Sequence, residues 1–290
     1  MTAILQVFGT FLLWLYKICG GSYALALIVF TLLTKVILFP LSYKGKKGMM
    51  QMNTMQAEMA RLQKQYGNNR VKYNEEVQKL YEREGVNPMS GCLWSFLPLP
   101  ILMALYYVIR RPMLYMMHLT TDQITAAIKA VEKLGTYTLS GSEIYQEMQV
   151  AGLMYGHQDV LSAVQTAVGD GASKLEIINF NFLGINLAAT PSFGDFNALW
   201  VIPILSALTA FLSSFVSQRL NKKAAGNVQN PQTQSMNGMM YIMVPAMSLY
   251  FGFILPAGLG VYWISNNLLM MAQEVILTKL LTRPHKKTQE

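Results

Sequence analysis

Charge is what this sequence has least of. Only 13% of its 290 residues are charged, about half the share in an average soluble domain. Acids are the scarcer sign, 15 against 23 bases, which leaves a formal net charge of +8. Two cysteines exclude a disulfide framework and a cysteine-rich metal site. The three histidines, His118, His157 and His285, all fall outside the long apolar runs, so no buried Ser–His pair can form there. Glu274 is the only acid inside such a run, and an aspartyl mechanism needs two. There is no phosphate-binding Gly-rich loop, no GxSxG and no metal-ligand cluster. The chain is therefore read as a non-enzyme that needs no cofactor. With 52% hydrophobic residues and a mean hydropathy of +0.29, the charge deficit disfavours a soluble enzyme, a disordered chain and a DNA-binding module. It favours an all-α polytopic membrane protein with polar loops.

A helix needs roughly 20 apolar residues to cross the hydrocarbon. Four windows qualify: Ser22 to Leu41, Cys92 to Ile109, Ala198 to Val216, and Met239 to Leu281. The last is too long for one crossing and breaks at Leu255 to Gly260, where Pro and Gly make a tight turn. The expectation is five transmembrane helices: 20–43, 89–111, 198–218, 238–255 and 258–281. Residues 1–19 are also apolar but lack the basic start of a secretory signal. Lys17 and Ile18 argue against a lipoprotein cysteine at Cys19. This segment reads as an outer interfacial helix, with a sixth span as the alternative.

The bases set the orientation. Residues 44–88, the loop 219–237 and the tail 282–290, with Lys279 just before it, hold 16 Lys and Arg. The loop 112–197 holds three, against eight acids. The N-terminus is thus expected outside and the C-terminus in the cytoplasm, as an odd number of spans requires. Arg110 and Arg111 oppose the rule, and snorkelling to headgroups would accommodate them. Cys19 and Cys92 fall on opposite membrane faces and cannot bond each other.

Residues 44–88 read as a cytoplasmic helical hairpin. One arm runs from Lys47 to Tyr66 and the other from Arg70 to Glu84, joined at Gly67, Asn68 and Asn69, which tolerate positive φ. Met52, Met55, Met59 and Leu62 share one face of the first arm. Thioethers there suit contact with varied apolar segments; packing on Val77, Leu80 and Tyr81 of the second arm is the alternative. In the outer loop, Thr121 is expected to cap a helix over Asp122 to Leu134. Helices are expected at Glu143 to Val150 and Asp159 to Val168, and strand-like residues at Leu175 to Leu183. The basic tail could meet anionic headgroups or ribosomal RNA phosphates, or simply set topology.

An ionisable residue inside a span is expensive. Lys35 lies nine residues before Lys44, roughly 13 Å of helix from the inner interface, further than a lysine stem reaches. It reads as a cation facing a hydrated cavity, with snorkelling aided by the break at Pro40 as the alternative. A pair with Glu274 is open. Thr209, Ser213, Ser214, Ser265, Asn266, Asn267 and Gln273 add polar groups to the last spans. The adjacent amides Asn266 and Asn267 are the most informative, because unpaired amides in lipid are costly. Trp263 also lies deep in its window, away from the usual interfacial belt.

These residues, in this order, resemble the YidC insertase family, the bacterial relatives of the mitochondrial oxidase-assembly and chloroplast Albino insertases. The resemblance rests on TKVILFPL, the charged hairpin, NPMSGCLWSFLPLPILMALYY, and LPAGLGVYWISNNL, and covers 20–111 and 195–283. The lack of a large outer domain before the first span is similar to the Gram-positive type. The resemblance implies a hydrated groove enclosed by five spans, open to cytoplasm and lipid. Lys35 stands where the family usually has Arg, which keeps the charge and loses the bidentate fork. Trp263 falls at a groove-lining tryptophan. Pro98 and Trp94 replace an expected glutamine and proline, and Ser213 or Ser214 stands in for a groove glutamine. The implied function is insertion of nascent membrane proteins into the bilayer. Its implied partners are the ribosome at the basic loops and tail, the lipid bilayer, and, as an open alternative, the general secretory channel. DNA is not a partner. An assembly scaffold without insertion activity and an anion channel or transporter are the rival readings; the single Lys35 without a ring of charges weighs against the channel.

Overall fold

The computed structural model describes residues 2–85, 98–139, 141–224 and 231–282, with no side-chain account for 98–99, 222–224 and 231–240. Expectations that rest on Cys92, Trp94, the start of the second window, the basic tail beyond Thr282 and part of the loop 219–237 lie outside the described residues. The chain is mostly helical and divides into two compact units.

The first unit comprises residues up to Leu33, Leu99–Ser206 and Leu249–Ser265. Helix α1 (Thr2–Ile18) meets α2 (Tyr23–Ile37) at an elbow of 119°. Gly20 and Gly21 make that elbow, with φ of +67° and +75°, values that a side chain disfavours. Phe8 and Phe11 of α1 pack their rings on Phe30 of α2. Helix α6 (Pro98–Arg110) leads into the short α7 (Pro112–Tyr115), against which α1 lies closely. At Gly9 a Cβ would sit 2.1 Å from the Tyr115 carbonyl oxygen, so only glycine permits this approach.

The segment that follows, expected above as an outer loop, is a packed helical body. Helix α8 (Thr121–Lys133) carries a capping box in which Thr120 accepts from the Gln123 amide and Gln123 reaches back. The cap is therefore Thr120, one residue before the expected Thr121. The side chain one position earlier is the one that reaches the third helical amide. Helix α9 (Glu143–Leu153) and α10 (Gln158–Val168) follow close to expectation. Ile124, Ala127, Ile128 and Val131 of α8 are buried together with Val160, Val164 and Val168 of α10, each set at helical spacing.

The strand-like run at Leu175 to Leu183 yields only β1 (Asn181–Phe182), paired antiparallel with β2 (Ile185–Asn186). Leu175 to Phe180 form no strand: the Tyr16 hydroxyl of α1 donates to the Ile177 carbonyl and accepts from the Asn179 amide, and the Phe180 carbonyl accepts from the Leu187 amide. Leu183 and Gly184 form the two-residue hairpin loop, both at positive φ. Such a loop prefers Asn-Gly, so a leucine at φ +52° is a conformational cost.

The second unit comprises Thr34–Pro98, Ala207–Ser248 and Asn266 onward. Helix α3 (Phe39–Thr54) starts after a break at Leu38 with Pro40 in its first turn, where a missing N–H is harmless. Helix α4 (Gln56–Tyr66) and α5 (Arg70–Arg83) form the expected hairpin, and Gly85 ends it at φ +63°. Two details differ. Met55 interrupts the first arm between α3 and α4. Gly67 has φ −58°, and neither Asn68 nor Asn69 adopts positive φ. Gly67 is needed for space, since a Cβ would lie 2.4 Å from the Gln63 carbonyl oxygen. Asn69 caps α5 by accepting from the Lys72 amide.

Three long helices close the chain: α11 (Val201–Ala224), α12 (Pro231–Ile254) and α13 (Ala257–Thr282). The break between the last two is only Leu255–Pro256, shorter than the expected Leu255 to Gly260. The following glycines lie inside α13 and serve packing: a Cβ on Gly260 would meet Ile202 at 2.2 Å. Among the described residues one helical stretch, Ala198–Asn221, is long and apolar enough to cross a membrane by itself. The pair α1 and α2 passes only as a bent pair, and Pro100–Arg110 and Tyr241–Ile254 are shorter apolar stretches.

Candidate functional site

Most of the polar groups singled out in the apolar windows belong to the second unit. Lys35 lies in the last turn of α2, half-buried. Among the described residues it has no ion pair or hydrogen bond. Two turns of helix then run from the Leu38 break to Lys46, a residue counted above only as a loop charge. Lys46 is buried, and its ammonium pairs with the Glu274 carboxylate of α13. The Asn221 side-chain oxygen of α11 accepts from the same ammonium at 2.9 Å. Ser217 donates to Glu274 at 3.4 Å, and the Asn221 amide donates to Ser217 at 3.4 Å. Three helices are thus tied by one network. The Lys35–Glu274 pair left open above is not formed, because Glu274 is engaged by Lys46. The signal for it was in the sequence: a lone acid in an apolar run needs a base, and 44–47 offers three lysines.

One helical stage away on the same two helices, Asn267 donates to the Thr209 hydroxyl at 3.3 Å, and both residues are buried. Ser213 is buried, while Ser214 and Asn266 are half-buried. The spacing Thr209, Ser213, Ser217, Asn221 is a strict i, i+4 ladder down one face of α11. Asn267 and Glu274, seven apart, meet it from α13. This stripe was visible as separate polar residues but not as one face. Ser265 returns its hydroxyl to the Val261 carbonyl at 2.8 Å, which satisfies it within its own helix. Trp263 belongs to the first unit, where its ring stacks on Phe251 with centroids 5.8 Å apart.

In the hairpin, Met55 is buried and Met52 and Met59 are half-buried. The Tyr81 hydroxyl donates to the Met59 sulfur at 3.8 Å, and Leu80 is buried beside it. Packing between the arms therefore accounts for Met59. Met55 stays in helical conformation at the junction of α3 and α4, and Met52, Met59 and Leu62 are half-buried around it in sequence.

The two arginines that opposed the charge rule have protein partners. Arg111 donates from Nε to Glu147 at 2.8 Å, and the Leu114 amide donates to the same carboxylate at 3.0 Å. Glu147 is fully buried in α9. Burial pushes its carboxyl above the usual range, and Arg111 works against that rise. The Arg110 guanidinium lies over the rings of Tyr106 and Tyr145 at 4.8 and 4.6 Å. Neither arginine needs a headgroup: the insertion recruits both.

Comparison with known proteins finds similarity along nearly the whole chain. A family model described as 60Kd inner membrane protein matches residues 14–285. A protein of Clostridium perfringens named Membrane protein insertase YidC is 28% identical over 289 residues, covering 99% of this chain and 88% of that one. Membrane protein insertase YidC 1 of Bacillus cereus is 26% identical, with 95% and 79% covered. The Membrane protein insertase YidC of Pelodictyon phaeoclathratiforme is 30% identical over 262 residues, which are 90% of this chain but 34% of that longer protein.

Proposed function

The chain belongs to the 60Kd inner membrane protein family, and on that premise we propose that it is a membrane protein insertase of the cell membrane. The observation that carries this reading is the match along residues 14–285, with relatives named as insertases aligned over nearly the full chain. It takes hydrophobic segments of nascent membrane proteins into the bilayer and is not an enzyme.

Five spans, formed by α2, α6, α11, α12 and α13, with the N-terminus outside, fit both the charge distribution and the family. A break beside one of them and polar residues inside another support a lined cavity. Helix α2 is 15 residues long, about 22 Å at 1.5 Å per residue, and it breaks at Leu38. Helix α13 carries Ser265, Asn266, Asn267, Gln273 and Glu274. Polar interruptions of this kind are tolerated where they face protein or water rather than lipid. The 119° elbow supports an interfacial α1 rather than a sixth span.

The proposed groove uses Lys35 with the polar groups of Thr209, Ser213, Ser214, Asn266 and Asn267. A polar segment that must cross roughly 30 Å of hydrocarbon meets a shorter apolar path if water reaches halfway in. Lys35, with its charge unspent on any described partner, attracts acidic residues of that segment more strongly than in bulk water. The apolar part then leaves sideways into lipid, driven by burial of its side chains. Met52, Met55 and Met59 serve as a first apolar contact if the hairpin arms part. The basic loops and tail meet the ribosome. Partnership with the general secretory channel is an addition this mechanism does not require.

The test is insertion into liposomes of a single-span substrate with an acidic outer tail, read by protease protection. Native protein and Lys35→Arg should insert it, and Lys35→Ala and Lys35→Glu should lose insertion by about tenfold or more, an energy of roughly 1.4 kcal/mol. Native-level insertion by all three variants would remove Lys35 from the mechanism. No insertion by native protein would favour an assembly scaffold, and ion flux without insertion would favour a channel.

A further inference from the structure

The outer insertion has six large apolar side chains that are at least partly open, and they are not spread evenly. Leu134, Tyr155 and Ile177 are 37%, 42% and 46% exposed; Leu183, Phe193 and Phe196 are 86%, 67% and 82% exposed. The three most open ones all fall in one segment, which the fold anchors at two places. The Leu187 and Ala189 carbonyls accept from the Gly258 and Ala257 amides at the start of α13, both at 2.9 Å. Strand β2 packs on the 3-10 turn Ala198–Trp200, which runs directly into α11. Phe193 stacks on Phe253 at 3.9 Å, and Phe196 lies 5.1 Å from the Trp200 ring.

We infer that Leu183, Phe193 and Phe196 form a lipid wedge, seated at the headgroup and acyl boundary of the leaflet at the N-terminal end of the Ala198–Asn221 helix. The occupant is bilayer lipid for three reasons. Phe193 and Phe196 are continuous, through Trp200, with the one described helix apolar enough to cross a membrane by itself. Aromatic rings at a helix end favour that depth. No Lys or Arg occurs between Lys174 and Arg219, so nothing here selects a nucleic acid or an acidic peptide. Leu183 adds a local argument. A two-residue loop at positive φ calls for Asn or Gly, and a leucine kept there presents an apolar side chain at the tip. The binding is apolar, so zwitterionic lipid suffices and salt does not release it.

This inference rests on Ala198–Asn221 being a span and not on insertion activity, and the experiment separates the two. In full-length protein with Cys19→Ser and Cys92→Ser, an environment-sensitive fluorophore is placed at Leu183→Cys, Phe196→Cys, Leu134→Cys or Leu208→Cys. Each variant is reconstituted in phosphatidylcholine vesicles. Labels at 183 and 196 should emit to the blue, resist aqueous iodide several-fold better than the label at 134, and be quenched best by lipids spin-labelled near the headgroup. The label at 208 should be quenched best by deep spin labels. Water-like behaviour at 183 and 196, with 208 in lipid, overturns the wedge and leaves the span standing. Water-like behaviour at 208 overturns both. Shielding at 183 and 196 that appears only when a membrane-protein substrate is added also overturns the wedge, and assigns the patch to protein.

Discussion

Three buried or half-buried charges of this protein have three different fates. Lys46 is spent on Glu274, Arg111 is spent on Glu147, and Lys35 keeps its charge free of described partners. Removing one member of a buried pair strands the other, at a cost of roughly 3–5 kcal/mol. Glu274→Gln is therefore expected to lower the thermal midpoint in detergent sharply, and Glu274→Gln with Lys46→Met to recover much of the loss. Equal damage from the single and the double variant would dissolve the network. Glu147 has a pH signature. Its carboxyl is raised in the folded state, so it favours folding most below its ordinary value of 4.5. That advantage is lost as pH rises through the folded value. Thermal stability of the outer insertion should gain on acidification toward that range, and Glu147→Gln should flatten this part of the profile. An unchanged profile in the variant would remove the effect from this residue. Lys35 was legible in the sequence because an isolated cation in an apolar run has no cheap explanation. Lys46 was not, because a lysine among lysines looks like topology.

At the scale of elements, periodicity and punctuation carried far. The second arm of the 44–88 hairpin and the three helices of the insertion fall close to their expected bounds, since apolar spacing and Gly or Asn stops are local signals, while the first arm begins earlier and is divided at Met55. The failures share one cause: a local rule was satisfied by a different local device. Thr120 and Thr121 are both competent caps, and only the reach to Gln123 decides between them. Thr120→Ala should therefore cost about 1 kcal/mol while Thr121→Ala costs a few tenths, read by denaturant midpoints. If the two variants are equal, the capping box contributes nothing. Gly67, Gly258 and Gly260 were read as turn formers and are packing residues. A glycine's letter does not say whether backbone angle or space requires it. The two-residue β-hairpin escaped notice because its leucine violates the preference by which such loops are recognised.

For the molecule as a whole, composition and charge already separate a membrane chain with an inside and an outside. Length and hydropathy alone find one full crossing among the described helices. Helix α2 is cut short at the Leu38 break just before Pro40, and the amides and acid of α13 lower its hydropathy. Those interruptions made the groove legible and the spans less so: the same residues serve one signal and erode the other. The proposed topology is checked by single cysteines in oriented membrane vesicles. A cysteine at Ser173 should react with an impermeant maleimide only from outside, and one at Gln65 only from the cytoplasmic side. Reaction of both from one side would overturn the five-span arrangement.

Helix α1 is held in place by residues made long after it. Thr10 bonds to His118 at 2.8 Å, Lys17 pairs with Glu176, and the Tyr16 hydroxyl receives the Asn179 amide at 2.9 Å. Chains emerge N-terminus first. When α1 is completed at Ile18, His118 is still 100 residues from being translated, and Glu176 and Asn179 come later still. Through that interval, of the contacts described above, α1 has only those to α2, such as Phe30 against Phe8 and Phe11. The first helix synthesised is thus among the last to be locked, and on the topology proposed above locking waits until the whole insertion has itself crossed the bilayer. On the reading offered here, each new copy poses the kind of translocation problem that its finished form exists to solve.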